Sequence, residues 1–381
     1  MNQLITTAFI IQRQLFPMLE EEIGPLSDKE QRFVQIVGLC HPERFMAPFQ
    51  WALIGRKPED LPAAWQAGRL PLAKAFIAKA VWNFTTTRAL LDYLENCPSL
   101  RRLCGWETVG LIPSESTFSR AFAAFASFHL PEKIHAAMIT ENLGATLVGH
   151  ISRDSTAVPA REKPAAKPVL AAKIPRKRGR PAKDQPLEPK QLRRLEIQPQ
   201  RSLAENLADL PALCDHGCKR NAQGFTESWI GYKLHLDVAD GDIPISAILT
   251  SASLHLSAVL AQAGDSQGAI PLAQQTQELV DYCYDLMDAA YDAKEIHAFS
   301  RQFGHVPIID PNPRRGEKIP MDPATAQRFK QRSSIERVNS QLKDNLGALF
   351  VRVRGAAKVM CHLMFGVLAC AALQILQRLP G

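Results

Sequence analysis

Residues 157–201 hold eight prolines, one glycine and no aromatic residue. Such a tract lacks the side chains that bury a core, and proline removes backbone donors from helix and sheet interiors. It reads as a linker or mobile insertion, so the fold must be built from what lies on either side of it. The 381-residue chain is 46% hydrophobic and 22% charged. That balance suits a folded protein of two or three domains and excludes disordered, collagenous and coiled-coil chains.

Charge is segregated along the chain. Residues 1–150 carry 14 basic and 14 acidic side chains. The proline-rich tract carries 13 basic and 4 acidic ones, residues 202–311 carry 5 and 15, and residues 312–381 carry 12 and 4. Basic blocks suit phosphate backbones, and an acidic block beside them suits divalent cations; either run also serves as a solvated face. The eight cysteines are scattered, which points to reduced thiols in a cytosolic protein. The first residues lack the basic n-region of a signal peptide. Val359 to Leu376 has the length of a membrane span, but it contains His362 and Gln374 and reads as a buried terminal helix.

Residues 1–142 read as a helical N-terminal domain, with helical spacing over Lys74–Phe84. Ser114 is positioned as an N-cap, followed by an apolar face through Phe118, Phe122 and Phe125. That helix fits either a packed bundle or a helix-turn-helix reader of DNA. Residues 143–379 read as an α/β domain with a mixed sheet, and residues 157–224 as a basic insertion after its first strand. That strand runs from Thr146 and ends at Asp154. Trp229–Asp237 and Ile243–Thr250 form a hairpin about Asp240-Gly241-Asp242. Helices are expected over Ala269–Tyr284, Ala293–Phe303, Ala324–Leu346 and Met360–Leu379. Strands are expected over Cys283–Asp288 and Val306–Ile309.

The informative stripe lies in the third of those helices. Arg332 and Glu336 are i, i+4, and Glu336 and Lys343 are i, i+7, so all three share a face. A carboxylate between two cations suits a place where metal and phosphate meet; the plainer alternative is a surface ion pair. Asp154 and Asp288 each end a strand, where side chains of an α/β sheet converge. Three such carboxylates could hold two Mg²⁺ ions. Asp292 is a further carboxylate nearby. His235 and Trp229 read as packed strand residues. Cys214, His216 and Cys218 offer up to three soft ligands for zinc without an evident fourth, and read otherwise as a tight turn.

These residues resemble the insertion-sequence transposases of the DDE type. Phe329, Arg332, Glu336 and Lys343 fit that family's Tyr-x2-Arg-x3-Glu-x6-Lys signature, with Phe for Tyr. Asp288-Ala289-Ala290-Tyr291 is similar to the motif around its second aspartate, and Asp154-Ser155-Thr156 to that around its first. Gly231 to His235, followed by Leu249-Thr250, resembles the hairpin between them. The resemblance implies an RNase H-like core over about residues 145–375. It implies Asp154, Asp288 and Glu336 as Mg²⁺ ligands (Mn²⁺ substituting), and Arg332 and Lys343 as contacts to the DNA end. It further implies cleavage at transposon ends, strand transfer into double-stranded target DNA, and a homodimer on DNA in the bacterial cytosol, with no membrane. Alternatives on the same core are a nuclease and a catalytically impaired DNA-binding protein.

The chain departs from the family at Phe329, which lacks a phenol, and at 255–264, which reads as a local insertion before Asp265-Ser266-Gln267. Within the proline-rich tract, Arg176, Lys177, Arg178 and Arg180 surround Gly179 and precede Pro181. Arg-Gly-Arg-Pro resembles an AT-hook core, in which extended arginines enter a narrow A·T minor groove; a solvated basic linker is the alternative.

Overall fold

The computed structural model describes residues 25–46, 69–166, 192–220, 223–253, 264–313 and 320–378. Helix α1 (Asp28–Cys40) is started by a capping box, in which Ser27 N–H donates to Glu30 Oε2 at 2.9 Å. It is followed by α2 (Arg69–Val81), α3 (Thr87–Asn96), α4 (Pro98–Cys104), α5 (Glu115–Ser127) and α6 (Leu130–Leu143). Phe118, Phe122 and Phe125 are buried on α5, as their spacing requires. Ser114 occupies the N-cap position in extended conformation, yet its side chain caps no amide. Its hydroxyl instead lies 2.9 Å from that of Ser116.

The sheet begins with β1 (Val148–Pro159). After it come short helices α7 (Arg194–Ile197) and α8 (Leu203–Asp209), then β2 (Asp215–Arg220), β3 (Thr226–Ala239) and β4 (Ile243–Ser251). Helix α9 (Ala269–Gln277), β5 (Tyr282–Met287), α10 (Lys294–Gln302) and β6 (Val306–Ile309) follow. Last are α11 (Pro323–Phe329), α12 (Ser333–Asn345) and α13 (Ala356–Leu376). Strand β1 is central, antiparallel to β3 on one side and parallel to β5 on the other, with β6 parallel to β5. The N-terminal part of β3 pairs with β2 and its remainder with β4. Gly231 marks the change of partner. Its φ is +152°, and a Cβ there would sit 2.1 Å from the Val158 carbonyl oxygen, so the close approach of β1 and β3 requires glycine. The β3–β4 turn places Gly241 and Asp242 at φ of 77° and 64°.

Several expectations need correcting. Strand β1 does not stop at Asp154 but continues to Pro159, because Val158 is fully buried against the sheet. From residue 192, still inside the proline-rich tract, to residue 213 the chain is not a linker. Arg194, Gln198 and Asn206 are buried there and donate hydrogen bonds to neighbouring segments, although Gln198 Oε1 and Asn206 Oδ1 have no partner among the described residues. Gln198 Nε2 donates to the Gln267 carbonyl at 2.8 Å, and Asn206 Nδ2 to Gln274 Oε1 at 2.9 Å. Docking through hydrogen bonds escapes a reading based on apolar content. Helix α9 ends at Gln277, short of Tyr284, because Tyr282 begins β5 and, with Val280 before it, enters the apolar core. The helix expected over Ala324–Leu346 is interrupted by a 3-10 turn at Lys330–Arg332. Residues 214–218 form no tight turn: Cys214 is buried just before β2, and β2 leaves His216 and Cys218 exposed.

Helix α13 lies between the two halves of the molecule. Phe365, Leu368, Ala372 and Ile375 join a core with α1, α2, α5 and α6, whereas Leu363, Met364, Val367 and Cys370 join one with β3 and α12. Its composition suits a membrane span, at mean hydropathy 2.1, but 72% of its apolar stretch is buried inside the protein. All eight cysteines are free thiols.

Beneath the sheet, Arg153 is 1% exposed. Its Nε and Nη2 donate to both oxygens of Asp237 at 2.8 and 2.7 Å, and Nη1 lies 3.2 Å from Asp285 Oδ1. Thr276 donates to Asp237 at 2.6 Å and Ser300 donates to Asp285. Burial disfavours the guanidinium charge, but the two carboxylates outweigh it and hold the proton more tightly than usual. One cation therefore ties β1, β3, β5, α9 and α10 together. Replacing Asp237 by Ala leaves a buried guanidinium half-compensated; we expect a loss of about 3–5 kcal/mol in urea unfolding, against a smaller loss for Asp237→Asn.

Candidate active site

Side chains alternate along β1, so Arg153 and Asp154 face opposite sides of the sheet. Arg153 faces α9 and α10, whereas the Asp154 side meets α12. There Ser152 Oγ lies 3.1 Å from Ser334 Oγ and donates to the Gln331 carbonyl at 3.3 Å. The 3-10 turn exposes that carbonyl and sets Arg332 at the N-cap position of α12. The Arg332 guanidinium consequently lies between two carboxylates. Nη2 donates to Glu336 Oε1 at 3.1 Å, and Nη1 is 3.7 Å from Asp154 Oδ2. Its Cζ is 5.9 Å from the Phe329 ring, so that residue supplies a cation–π face.

Asp288 follows β5, the parallel neighbour of β1. Its Oδ1 accepts from Ala290 N–H at 2.9 Å and starts the turn Ala289–Tyr291. Asp154 Oδ1 accepts from Ser155 N–H at 2.7 Å. Burial pushes the Asp154 carboxyl from the ordinary 3.8 up to about 6; the Ser155 amide opposes this, the Asp288 charge adds to it, and Arg332 opposes it again. Lys343 is electrostatically coupled to Asp154. Burial and Lys219 lower its proton affinity, while Asp154 raises it. The structure thus gathers Asp154, Asp288, Arg332 and Lys343. Glu336 joins through Arg332 and is 63% exposed.

Two members of the group were not singled out by sequence reasoning. Asp265 pairs with Lys233 of β3 and bonds the Ser155 hydroxyl; burial raises its proton affinity, but Lys233 and His235 more than offset that. The only sequence signal was its place after the 255–264 insertion. Tyr291 is fully buried, and its hydroxyl has no hydrogen-bond partner among the described residues. Burial, then the charges of Asp154, Asp265 and Asp288, push its proton affinity far up. Asp292 serves elsewhere, 3.1 Å from His297 Nε2 and accepting from Asn312 N–H at 3.0 Å. His235 is packed, with Nε2 2.9 Å from Thr250 Oγ1, and Trp229 lies over Gly217. Arg176, Lys177, Arg178 and Arg180 lie outside the described residues, as does nearly all of 255–264.

Asp154 and Asp288 offer hard oxygens and repel each other, which fits a divalent cation of the Mg²⁺ class. Among the described residues, no three His, Cys, Asp or Glu side chains converge as a ready metal cage, Cys214, His216 and Cys218 included. Arg332 accounts for this at the Asp154 site, since it takes the place between Asp154 and Glu336.

Residues 214–372 match the family model of the transposase DDE domain. The match supports a transposase of the DDE type, with roles in DNA binding, transposition and recombination. It includes Asp288, Arg332, Glu336 and Lys343; Asp154 precedes it, on the central strand. Comparisons with curated proteins and with solved structures found no match.

The folded Asp154 carboxyl binds its proton more tightly than the unfolded one. Its contribution to stability is therefore complete below about 3.8 and is lost as pH rises through about 6. In EDTA, we expect urea unfolding to show about 3 kcal/mol of such loss across that window, and Asp154→Asn to flatten it.

Proposed function

We propose that the chain is an insertion-sequence DNA transposase whose RNase H-like core cleaves transposon ends and joins them to target DNA. The observation that carries the reading is the convergence of Asp154 on the central strand, Asp288 on its parallel neighbour, and the Arg332–Glu336–Lys343 stripe. A five-position strand order with one antiparallel partner beside a parallel set supports that core. Asp154 and Asp288, with Glu336, would hold Mg²⁺ or Mn²⁺. Bound there, the metal would activate water or a 3′-hydroxyl and neutralise charge on the phosphate.

The chain's own groups position the substrate. Arg332 presents a fork that matches a phosphate as well as a carboxylate. A scissile phosphate arriving beside α12 competes for it and draws it from Asp154 and Glu336. Lys343, two turns along the same face, takes a neighbouring phosphate. Water oxygen then attacks phosphorus and the 3′-oxygen leaves with a proton. In the joining step, that 3′-hydroxyl oxygen attacks a target phosphorus, the target strand's own phosphorus–O3′ bond breaks, and its 3′-oxygen leaves with the proton. Double-stranded DNA is the partner, engaged by a homodimer.

The test is nicking of an end duplex with Mg²⁺. We expect Asp288→Asn and Asp154→Asn each to slow it by at least about a hundredfold. Equal nicking by wild type and Asp288→Asn overturns the reading; tight binding without nicking by the wild type identifies a catalytically impaired DNA-binding protein. Arg332→Ala, measured in EDTA, is expected to weaken end binding and reduce the slope of log affinity against log salt by about 1.

A further inference from the structure

A second electropositive feature lies away from the carboxylates. A cavity of about 460 Å³ opens where the helical layer meets the end of the sheet. Its walls carry Lys79 of α2, Arg161 beyond β1, Arg352 and Arg354 before α13, and Lys358 in the first turn of α13. Among the described residues, none of the five forms a salt bridge. Glu115 is the one carboxylate on the wall, and it faces Arg88 at 3.8 Å. Arg161 is seven residues past Asp154, which at strand rise places it roughly 20 Å from the carboxylates.

Lys79 makes this more than a basic surface. It is 8% exposed, sits in the last turn of α2, and has no hydrogen-bond or ion-pair partner for its ammonium among the described residues. Burial lowers its proton affinity to about 8. His362, beside it on the wall, is kept neutral by burial and by Lys79, and its Nε2 lies 3.0 Å from the Gly347 carbonyl. A buried, unpaired cation is costly unless a ligand completes it. The N-terminus of α3 adds to the same field. Thr85, Thr86 and Thr87 line the cavity, and Thr86 caps the helix by accepting from Ala89 N–H at 3.1 Å. Hydroxyls, first-turn amides and the positive end of a helix dipole all favour an anion. Phe76 and Phe122, 4.9 Å apart, give the cavity an apolar wall.

The geometry points to a binding site for the terminal phosphate of an unpaired DNA strand, with the attached nucleoside against Phe76 and Phe122. A duplex backbone is too broad to reach a lysine side chain nine-tenths buried, whereas a strand end can enter. The volume takes about one nucleotide, in the range of small-ligand pockets. The inference rests on the transposase reading only for the identity of the polymer, because the phosphate chemistry follows from the cavity itself.

The experiment is fluorescence anisotropy of a 3′-labelled short oligothymidylate, with and without a 5′-phosphate, in EDTA on the full chain. Wild type is expected to prefer the phosphorylated strand by on the order of tenfold. Lys79→Met and, separately, Lys358→Ala on the wall should remove most of that preference; the second variant guards against a folding defect in the first. Equal binding of the two strands by wild type, or an undiminished preference in both variants, overturns the site. Thymidine monophosphate competing as well as the phosphorylated strand overturns the assignment to a strand. Nicking scored in parallel separates the two readings: a chain that keeps the preference yet does not nick supports this site while overturning the function proposed above.

Discussion

Everything at the carboxylate face of the sheet depends on the buried pairing of Arg153 with Asp237 and Asp285. The pair joins the central strand to both neighbours directly behind Asp154, since adjacent residues of β1 face opposite sides. A purely apolar contact there would leave the strands free to settle by small shifts. A forked guanidinium held by two oxygens of one carboxylate and one of another fixes register in two directions. A one-residue slip of β1 would bring Asp154 into that buried site and turn Arg153 toward α12. Position at the front of the sheet is thus secured by charge at its back.

On the front, carboxylates are in excess and their neighbours divide the task of containing them. Lys233 holds Asp265 ionised, and Arg332 partly offsets the burial of Asp154. Asp288 spends one oxygen on its own turn. The buried Tyr291 hydroxyl, close to these charges, is a donor without an acceptor among the described residues. Such a group of repelling acids, with a cation lodged among them, is built for exchange of partners rather than for stability.

What the sequence revealed follows from the range of each signal. The Arg332–Glu336–Lys343 stripe and the Phe118–Phe122–Phe125 face depend on helical period, a local property, and both were legible. Asp288 was legible because β5 is short and its motif is contiguous. Asp154 was identified, but its strand was cut short: proline and charge beyond residue 157 masked the one buried apolar residue, Val158, that carries β1 onward. The Arg153 network was illegible, since its members are scattered in sequence and a charged residue in a strand reads as exposed. Helices α7 and α8 were missed for a related reason. Their anchoring side chains are Arg194, Gln198 and Asn206, polar residues whose burial depends on partners elsewhere.

Helix α13 shows the opposite failure mode, in which an apolar signal is strong but its meaning is ambiguous. A helix covered on one side shows a period; one covered all round does not. Here α1, α2, α5 and α6 cover one side and β3 with α12 the other, so the sequence of α13 imitates a membrane span. The helical layer is therefore no appendage to the sheet. Phe76 of α2 stacks on Phe365 of α13 at 5.8 Å, in the same core that carries Ile151 of β1. Removing that layer would expose one whole side of the most apolar helix in the chain. The basic cavity inherits the same dependence. Lys79 and Phe76 come from the layer, Arg352 from the approach to α13 and Lys358 from its first turn, and only the packing of one on the other brings them to a common wall.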